Sequence, residues 1–311
     1  MLESKALASI PVVPANTAPP APDYPWPTPY KAAMFLSFDI DAESAWTSKD
    51  PAHAARLVTM SFGGYEARVG TPKLLELLAE LDLKATFFIT GWSVDAHPAM
   101  AEAVLKAGHE IGHHGYIHED PTEISSAQQR EAFERALAIH VAMTGRKPRG
   151  YRAPVYNANQ TTIDLLIEHG FVYDSSLMAD DIPYQMRTAR GSLYEMPPHW
   201  GSDDWPPFAH YAEIGYMMPV KSPSEGLAAS FEEFEAAYEA GGFWMGIWHP
   251  FLTGRLARWR VVERWLERIV AERKVWFASL EDIAAHLDGL VKAGTYQVRV
   301  ETLPYFTQPV S

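Results

Sequence analysis

The first group of residues that could do chemistry is a run of histidines. Residues 108–120 contain four of the chain's twelve histidines, and His114 and His118 are separated by three residues. On a helical turn this spacing would place both imidazoles on one face. Neutral imidazole binds Zn²⁺ and similar divalent ions, so the pair is half of a candidate metal site. The alternative is a polar surface turn, because an H-x-x-x-H pair alone is a weak motif that needs a third, preferably anionic, ligand.

Two aspartates, Asp39 and Asp41, follow the short apolar run at residues 33–38. In a strand, alternation puts both carboxylates on one side and Ile40 on the other. Carboxylates held this close repel unless a cation lies between them. One aspartate could therefore bind the metal while the other transfers protons; the alternative is an exposed turn or a helix cap. An Asp-His-His site keeps a position open for water, whose pKa the metal lowers toward neutrality.

Two further candidates, Arg152 and His249, each follow a predicted strand. Arg152 lies in the segment RGYRAP and could hold the base carboxylate in a bidentate pair. The alternative for Arg152 is a surface arginine. His249 stands between a tryptophan and a proline and is suited to be a general acid. The alternative for His249 is a satisfied core histidine.

Composition excludes several classes of partner. The 311 residues carry 26 Lys and Arg against 39 Asp and Glu, a net charge of −13. Without a basic surplus, neither a nucleic acid nor an anionic membrane is expected as a partner. No apolar segment approaches the ~20 residues of a membrane helix. The absence of cysteine excludes disulfides, and the start of the chain does not read as a signal peptide. A cytoplasmic protein is the expectation.

The elements that must position these residues alternate between strand and helix. Strands are predicted at residues 33–38, 85–89, 108–113, 149–153, 171–173, 193–196, 243–248 and 275–278. Helices are predicted from Thr71, as N-cap, to residue 81, and at 98–106, 124–143, 161–169, 231–240, 256–272 and 280–291, with a polar loop before Thr71. About seven such units predict a distorted or incomplete α/β barrel, in which reactive residues lie at strand carboxyl ends.

The two ends of the chain differ from the middle. Residues 9–30 contain eight prolines and are predicted to form an extended arm, residues 1–30, on the surface or on a neighbouring subunit. The catalytic domain is expected at 31–292 and a second arm at 293–311. The arm favours a homo-oligomer.

Five segments, in this order, resemble the motifs of the polysaccharide deacetylases, also called the NodB-homology or carbohydrate esterase family 4 group. They are Phe38–Asp41, Gly108–His118, Gly150–Pro154, Tyr173–Ser176 and Trp248–Pro250. The resemblance covers residues 33 to about 285 and implies a distorted (β/α)7 barrel of the NodB type. It also implies a hydrolase of non-peptide C–N amide bonds that uses one divalent metal. Zinc is the expected ion, and Co²⁺, Ni²⁺ and Fe²⁺ are the alternatives that two imidazoles and a carboxylate also suit.

Matching position by position, the resemblance assigns roles to the residues of the site. Asp41, His114 and His118 match the metal ligands, and Asp39 matches the base that deprotonates water. Arg152 matches the arginine that orients the base.

The acid side of the mechanism is assigned in the same way. His249 matches the general acid that protonates the leaving nitrogen, and Asp174 matches the aspartate that tunes this acid. The backbone N–H of Val155 is the expected oxyanion donor.

Departures from the family pattern narrow the expected substrate. Sugar deacetylases have two adjacent aspartates, whereas here Ile40 separates them. This variant resembles a mostly cytoplasmic subgroup that includes cyclic imide hydrolases, allantoinase-like enzymes and a peptidoglycan-deacetylase homologue. Some allantoinase-like relatives do without the metal, but the intact ligand set argues for a metal here.

The substrate pocket is expected from aromatic residues. Trp200 lies in the Trp- and Pro-rich segment 199–208, and with Trp46, Trp92 and Trp248 it could wall a small pocket; the alternative is core or subunit contact. We therefore expect a small-molecule substrate, a cyclic imide or amide. The alternatives are an N-acetyl sugar deacetylase acting on peptidoglycan or chitooligosaccharides, and a catalytically dead carbohydrate-binding scaffold.

Overall fold

A ten-stranded sheet organises the computed structural model, which describes residues 26–212 and 215–305. The strands are β1 Ala32–Ile40, β2 Thr86–Ile89, β3 Glu110–His113, β4 Gly150–Tyr151, β5 Tyr173–Asp174, β6 Tyr184–Thr188, β7 Gly191–Glu195, β8 Phe243–Trp248, β9 Val275–Phe277 and β10 Val300–Thr302. All eight predicted strands are present. The hairpin partner β6 and the edge strand β10 are additional to the prediction.

The strand order is β10-β6-β7-β5-β4-β3-β2-β1-β8, with β9 paired to β1. All pairs are parallel except the β6–β7 hairpin. A parallel bridge between Asp203 and Ile247 links the segment after β7 to β8. The predicted α/β architecture is confirmed, with a mostly parallel sheet in which this bridge connects the segment after β7 to β8.

Helices follow most strands. They are α1 Ser44–Thr47, α2 Leu57–Tyr65, α3 Thr71–Glu80, α4 Gly91–Ala96, α5 Pro98–Lys106, α6 Ser126–Thr144, α7 Gln160–Glu168, α8 Trp205–Phe208, α9 Pro223–Ala240, α10 Leu256–Glu272 and α11 Leu280–Ala293. The longer helices match the predicted ranges to within a few residues, except that α9 begins eight residues earlier than predicted.

The polar loop predicted before Thr71 is wrong, and so is the N-cap at Thr71. Helix α2 continues through a π-helical turn, Glu66–Gly70, directly into α3. Gly63 is a close-packing position within this helical segment: a Cβ on Gly63 would lie 2.8 Å from the carbonyl oxygen of Ala42. Gly70 likewise packs on the carbonyl of Pro250. This continuous helical segment therefore lies against the loops that follow both β1 and β8.

All nine residues of β1 are buried, and β1 pairs with three other strands, β2, β8 and β9. A parallel strand covered on both faces reads as a continuous apolar run, as this one does up to its acidic end. Residues of β1 contribute to two separate hydrophobic clusters. Met34, Leu36 and Phe38 pack with α3, α5 and α10, whereas Phe35 packs with β8 and α11. Burial of β1 thus fixes the position of the acids at its carboxyl end.

The chain ends are only partly described. Most of the predicted arm, residues 1–25, and residues 306–311 lie outside the described residues. Trp26 packs against Trp276 and donates a hydrogen bond from Nε1 to the carbonyl of Gly241. In the predicted tail, β10 pairs with β6. Within residues 26–212 and 215–305, no helix has both the length and the apolarity needed to cross a bilayer.

Candidate active site

Four site residues each occupy the first position after a strand. Asp41 follows β1, His114 follows β3, Arg152 follows β4 and His249 follows β8. These strands are parallel and in register, so their carboxyl ends meet at one edge of the sheet. The topology therefore brings residues more than 200 positions apart into one site.

Asp41 faces three imidazoles. Its Oδ1 lies 3.3 Å from Nε2 of His114, and its Oδ2 lies 3.5 Å from Nε2 of His118 and 3.8 Å from Nε2 of His249. Asp41, His114 and His118 are all buried and place their ligand atoms within 4.8 Å of one another. Burial opposes ionisation of Asp41, but His118 and His114 hold its pKa well below the usual value.

The donor set fits a divalent cation. Within the described residues, neither carboxylate oxygen of Asp41 nor Nε2 of His114 has a hydrogen-bond partner, although all three atoms are buried. Leaving buried polar atoms without a partner is costly unless an ion satisfies them. Nδ1 of His114 lies 2.8 Å from the carbonyl oxygen of Arg152, which fixes Nδ1 as the donor and leaves Nε2 free for a metal.

The two histidines do not share a helical turn, so that part of the prediction is wrong. Residues 114–120 form a loop, and His118 has a positive φ of 59°. The carboxylate of Glu119 accepts hydrogen bonds from the backbone N–H groups of Tyr116 and Ile117, which tightens the loop. This tight loop therefore places the side chain of His118 next to that of His114.

Asp39 is held by Arg152. Nη1 of Arg152 donates to Oδ1 of Asp39 at 2.6 Å and to Oγ of Ser37 at 3.0 Å. Nη2 and Nε of the same guanidinium donate to Oγ and the carbonyl oxygen of Ser175. Arg152 is fully buried. The predicted contact is present, but through one nitrogen and not as a bidentate pair, because Ser175 occupies the other donors.

His249 pairs with Asp204 and not with Asp174. Nδ1 of His249 lies 2.7 Å from Oδ1 of Asp204. Oδ2 of Asp204 accepts from the backbone N–H and the hydroxyl of Thr253. Burial lowers the pKa of His249, but Asp204, Asp41 and Asp203 outweigh it and raise this pKa well above the usual value. These carboxylates therefore favour the protonated imidazole, the form that a general acid requires.

The prediction that Asp174 tunes the acid is contradicted. Oδ1 of Asp174 accepts from Oγ of Ser176, and the carboxyl group contacts that of Glu195. Oγ of Ser176 in turn accepts the N–H of Ala153. Asp174 thus supports the segment 175–176, which holds Arg152, and acts behind the site.

Asp203, Asp204 and His249 form a second group whose ligand atoms lie within 4.8 Å of one another. Its carboxylates already accept hydrogen bonds, Asp204 from His249 and Thr253 and Asp203 from Tyr156 and Trp205. This group is a hydrogen-bonded network, whereas the Asp41 group has the orphaned atoms that a metal would satisfy.

A cavity of about 370 Å³ opens onto these residues. Two of the predicted substrate-binding residues, Val155 and Trp200, line it. Its wall also contains Asp203, Trp205 and Pro206 from the predicted segment 199–208, together with Ala45, Lys49, Ala153, Tyr156 and Tyr216. The two adjacent acids in the sequence SDDW, residues 202–205, could have indicated a functional site, but no regular strand directly precedes them.

Trp46 and Trp248 are core residues, so their prediction as substrate-binding residues is wrong. Both are fully buried. Trp46 packs edge-on against Phe62 and Tyr211, and Trp248 packs against Trp244 and Trp265. Alternation along β8 turns Trp248 away from the cavity, which His249 lines.

Backbone strain concentrates at the site. Among the described residues, five other than glycine have positive φ, and four of these adjoin the cavity: Ala42, His118, Val155 and Tyr156. Such conformations cost free energy and persist only where the surroundings impose them. Val155, the expected oxyanion donor, has φ of 50° and is half exposed.

Glu66 links two of the loops. Its Oε2 accepts the N–H of Ala42 at 2.5 Å, next to Asp41, and its Oε1 accepts the N–H of Phe251 at 3.4 Å, two residues after His249. The side chain is fully buried, and burial together with Asp41 raises its pKa well above the usual value. One carboxyl group thus ties the loop carrying Asp41 to the loop carrying His249.

Comparisons with known proteins agree with this geometry. The polysaccharide deacetylase family model matches residues 52–173. A solved Mycobacterium smegmatis structure assigned to the polysaccharide deacetylases is 36% identical, with a TM-score of 0.85, over 92% of this chain and 99% of that one. The peptidoglycan deacetylase of Helicobacter pylori is 29% identical over 79% of this chain and 92% of its own length.

A solved allantoinase, Puue, shares the fold at 22% identity and a TM-score of 0.76, over 93% of this chain and 99% of that one. At that identity the likeness concerns the fold alone. The match to the Mycobacterium smegmatis structure, by contrast, spans nearly the full length of both chains at more than a third identity. The chain therefore belongs to the polysaccharide deacetylase family, whose members are hydrolases acting on carbon–nitrogen bonds.

Proposed function

We propose that this protein is a metal-dependent hydrolase that cleaves the C–N bond of a small cyclic imide or amide. The observation that carries the proposal is the geometry around Asp41. Buried, unpartnered ligand atoms share one cavity with a held carboxylate, Asp39, and a held imidazole, His249. A base and an acid beside a cation site are what amide hydrolysis needs.

Asp41, His114 and His118 would hold the metal. A divalent ion bound there would polarise the scissile carbonyl and make the attacking water more acidic. Deacetylases of this family use a divalent metal, and zinc is our proposal for the ion because two imidazoles and a carboxylate suit it.

The chain's own side chains move the protons. Asp39, whose Oδ1 is fixed by Arg152, accepts a proton from the attacking water as the new C–O bond forms. His249, oriented by Asp204, donates its proton from Nε2 to the nitrogen as the C–N bond breaks. Opening a cyclic imide in this way leaves a carboxylic acid and an amide in one product molecule. We propose the N–H of Val155 as the donor to the carbonyl oxygen.

The cavity favours a small substrate. At about 370 Å³ it is near the lower end of the range for ligand pockets. Tyr156, Trp200, Trp205 and Tyr216 form much of its wall, and Trp200 stands edge-on to Tyr156 with ring centroids 4.9 Å apart. A planar ring would pack against these faces.

The second candidate is an N-acetyl sugar deacetylase acting on peptidoglycan or chitooligosaccharides. The name of the Helicobacter pylori relative favours it. Trp200 is 51% exposed at the mouth of the cavity and could stack on a sugar ring. The same base, acid and metal ligands would serve this reaction. A catalytically dead carbohydrate-binding scaffold fits less well, because the acid, the base and their supports are all in place.

The two candidates are separated by assay on both substrate classes. The zinc-loaded protein is incubated with succinimide and hydantoin, with ring opening followed by chromatography, and with N-acetylglucosamine oligomers, with acetate release measured. We expect ring opening that chelation abolishes. Turnover of the oligomers alone would favour the second candidate, the N-acetyl sugar deacetylase. No turnover, together with a failure of the protein to retain zinc during loading, would favour the binding scaffold.

A further inference from the structure

Asp203 is a cavity-lining acid that the proposed proton transfers do not use. It is buried, with a residue exposure of 5%, yet it lies in the wall of the cavity. Its Oδ2 accepts the hydroxyl hydrogen of Tyr156 at 2.5 Å, and its Oδ1 accepts the N–H of Trp205 at 2.7 Å. A carboxylate oxygen can accept two hydrogen bonds, so each oxygen retains one acceptor position.

Asp203 lies beside the general acid. One of its oxygens is within 4.8 Å of a ring nitrogen of His249. Because Asp204 occupies Nδ1, the proton that His249 can donate is on Nε2, which faces Asp41. The nitrogen that receives this proton must come within about 3 Å of Nε2. Because Asp203 lines the same cavity, its carboxylate is available for a second contact with the substrate beside His249.

We propose that Asp203 accepts a hydrogen bond from the N–H of the scissile amide or imide and thereby selects substrates whose leaving nitrogen carries a hydrogen. The inference rests on the proposed function, since it assigns a second contact to the nitrogen that His249 protonates. As the carbonyl carbon becomes tetrahedral, the nitrogen lone pair turns toward His249 while its N–H continues to point at Asp203. No bond to Asp203 forms or breaks.

This contact predicts a specificity. A substrate with an alkyl group on the leaving nitrogen would present carbon to a buried carboxylate. It would leave the remaining acceptor positions without a partner, which is how polar sites reject analogues that lack a hydrogen-bonding group. The enzyme should therefore accept N–H imides or secondary amides and reject their N-alkylated counterparts.

A purely structural role for Asp203 is the competing explanation. Through Tyr156, Asp203 joins the loop after β4 to the segment after β7. Tyr156→Phe removes this bridge but leaves the carboxylate in place, so it is the matched control. A structural role would lower turnover of N–H and N-alkyl substrates equally, whereas recognition of the N–H changes their ratio.

The experiment compares kcat/KM for succinimide and N-methylsuccinimide in the zinc-loaded wild type, Asp203→Asn, Asp203→Ala and Tyr156→Phe at pH 8. If the sugars are the substrates, N-acetylglucosamine oligomers and their N-methylated forms replace the imides. We expect wild type to prefer the N–H substrate by about 10- to 100-fold, the factor associated with one hydrogen bond to a charged group.

Asp203→Ala should remove most of this preference, with Asp203→Asn intermediate, and Tyr156→Phe should keep the wild-type ratio. Each preference is the ratio of two kcat/KM values measured on the same protein. Partial misfolding of Asp203→Asn or Asp203→Ala therefore does not change it. A wild type that turns over both substrates without preference, or an Ala variant that keeps the preference, overturns the inference alone. A wild type inactive on every probe overturns the proposed function as well.

Discussion

Nδ1 of His249 lies 2.7 Å from Oδ1 of Asp204, and this contact leaves Nε2 facing Asp41 at 3.8 Å. Asp204 is itself fixed by the backbone N–H and the hydroxyl of Thr253. The acid is thus oriented by a carboxylate only 45 residues before it, in a loop that has no regular strand ahead of it. The same carboxylate favours the protonated imidazole.

Asp204→Asn should lower kcat by about 100-fold or more, which is the contribution expected from an oriented general acid. The amide loses the charge that keeps His249 protonated, and it can present a donor to Nδ1. Metal content should stay at the wild-type level, because Asp204 is not among the proposed ligands. Steady-state kinetics and elemental analysis of the purified variant measure both quantities.

Asp174→Asn is the control for that experiment. Since Asp174 contacts Ser176 and Glu195 and not His249, its kcat should remain within about threefold of wild type. If instead Asp174→Asn loses activity to the same extent as Asp204→Asn, with its fold intact, the assignment of Asp204 as the orienting residue is wrong.

Much of the fold could be predicted from the sequence, because its signals are local. Buried parallel strands such as β1 and β8 are continuous apolar runs, and long amphipathic helices such as α10 carry their own periodicity. The helical segment through Gly63 and Gly70 could not be predicted in this way. Glycine is a weak helix former, and only contact with Ala42 and Pro250 shows that Gly63 and Gly70 permit close packing.

The residues nearest the cation site each come directly after a strand, and barrel geometry therefore predicted that they lie close together. His114, Arg152 and His249 come together for that reason. Trp46 and Trp248 were misplaced because a tryptophan near a site residue in sequence can still point into the core. The positions of Asp203, Asp204 and Glu66 are set by loops and by a π-helical turn. No periodic pattern in the sequence predicts the path of such segments.

Removing single ligands should separate metal binding from catalysis. His114→Ala should lose both bound metal and activity, whereas Asp39→Asn should keep the metal and lose activity. For wild type and Asp39→Asn, zinc at 100 times its Kd should stabilise the fold by about 2.7 kcal/mol, visible as a rise in Tm. His114→Ala should show a much smaller rise, and a full rise would remove His114 from the ligand set.

Glu66→Ala should reduce both stability and turnover. It leaves the N–H groups of Ala42 and Phe251 without an acceptor in the protein interior, at a cost of about 3 kcal/mol. Because these N–H groups adjoin the loops of Asp41 and His249, kcat should fall more than KM rises. Denaturant unfolding and steady-state kinetics test the two effects.

Glu76→Ala, an exposed change on α3, is the matched control for Glu66→Ala and should stay within about 0.5 kcal/mol of wild type. Glu66→Gln should recover part of the lost kcat, since its amide oxygen can still accept the N–H of Ala42. A Glu66→Ala variant with wild-type kcat would reduce Glu66 to a structural role.

The contact between Asp174 and Glu195 should make stability depend on pH. Both carboxyl groups are fully buried, and burial raises the pKa of Asp174 to about 6. Burial and the neighbouring Asp174 raise the pKa of Glu195 well above its usual value. A carboxyl group whose pKa is higher in the folded state stabilises the fold below its unfolded pKa. That contribution is lost as the pH rises through about 6.

Glu195→Gln should remove this penalty. Its amide oxygen can keep the bond from the N–H of Ser176, and its NH₂ group can donate to Asp174. The variant should therefore be more stable than wild type at pH 8, with a smaller gain at pH 5, where both carboxyl groups of the wild type are protonated. Thermal unfolding at the two pH values, with exposed Glu131→Gln as control, measures the difference. An equal gain at both pH values would show that the two carboxyl groups do not share a proton.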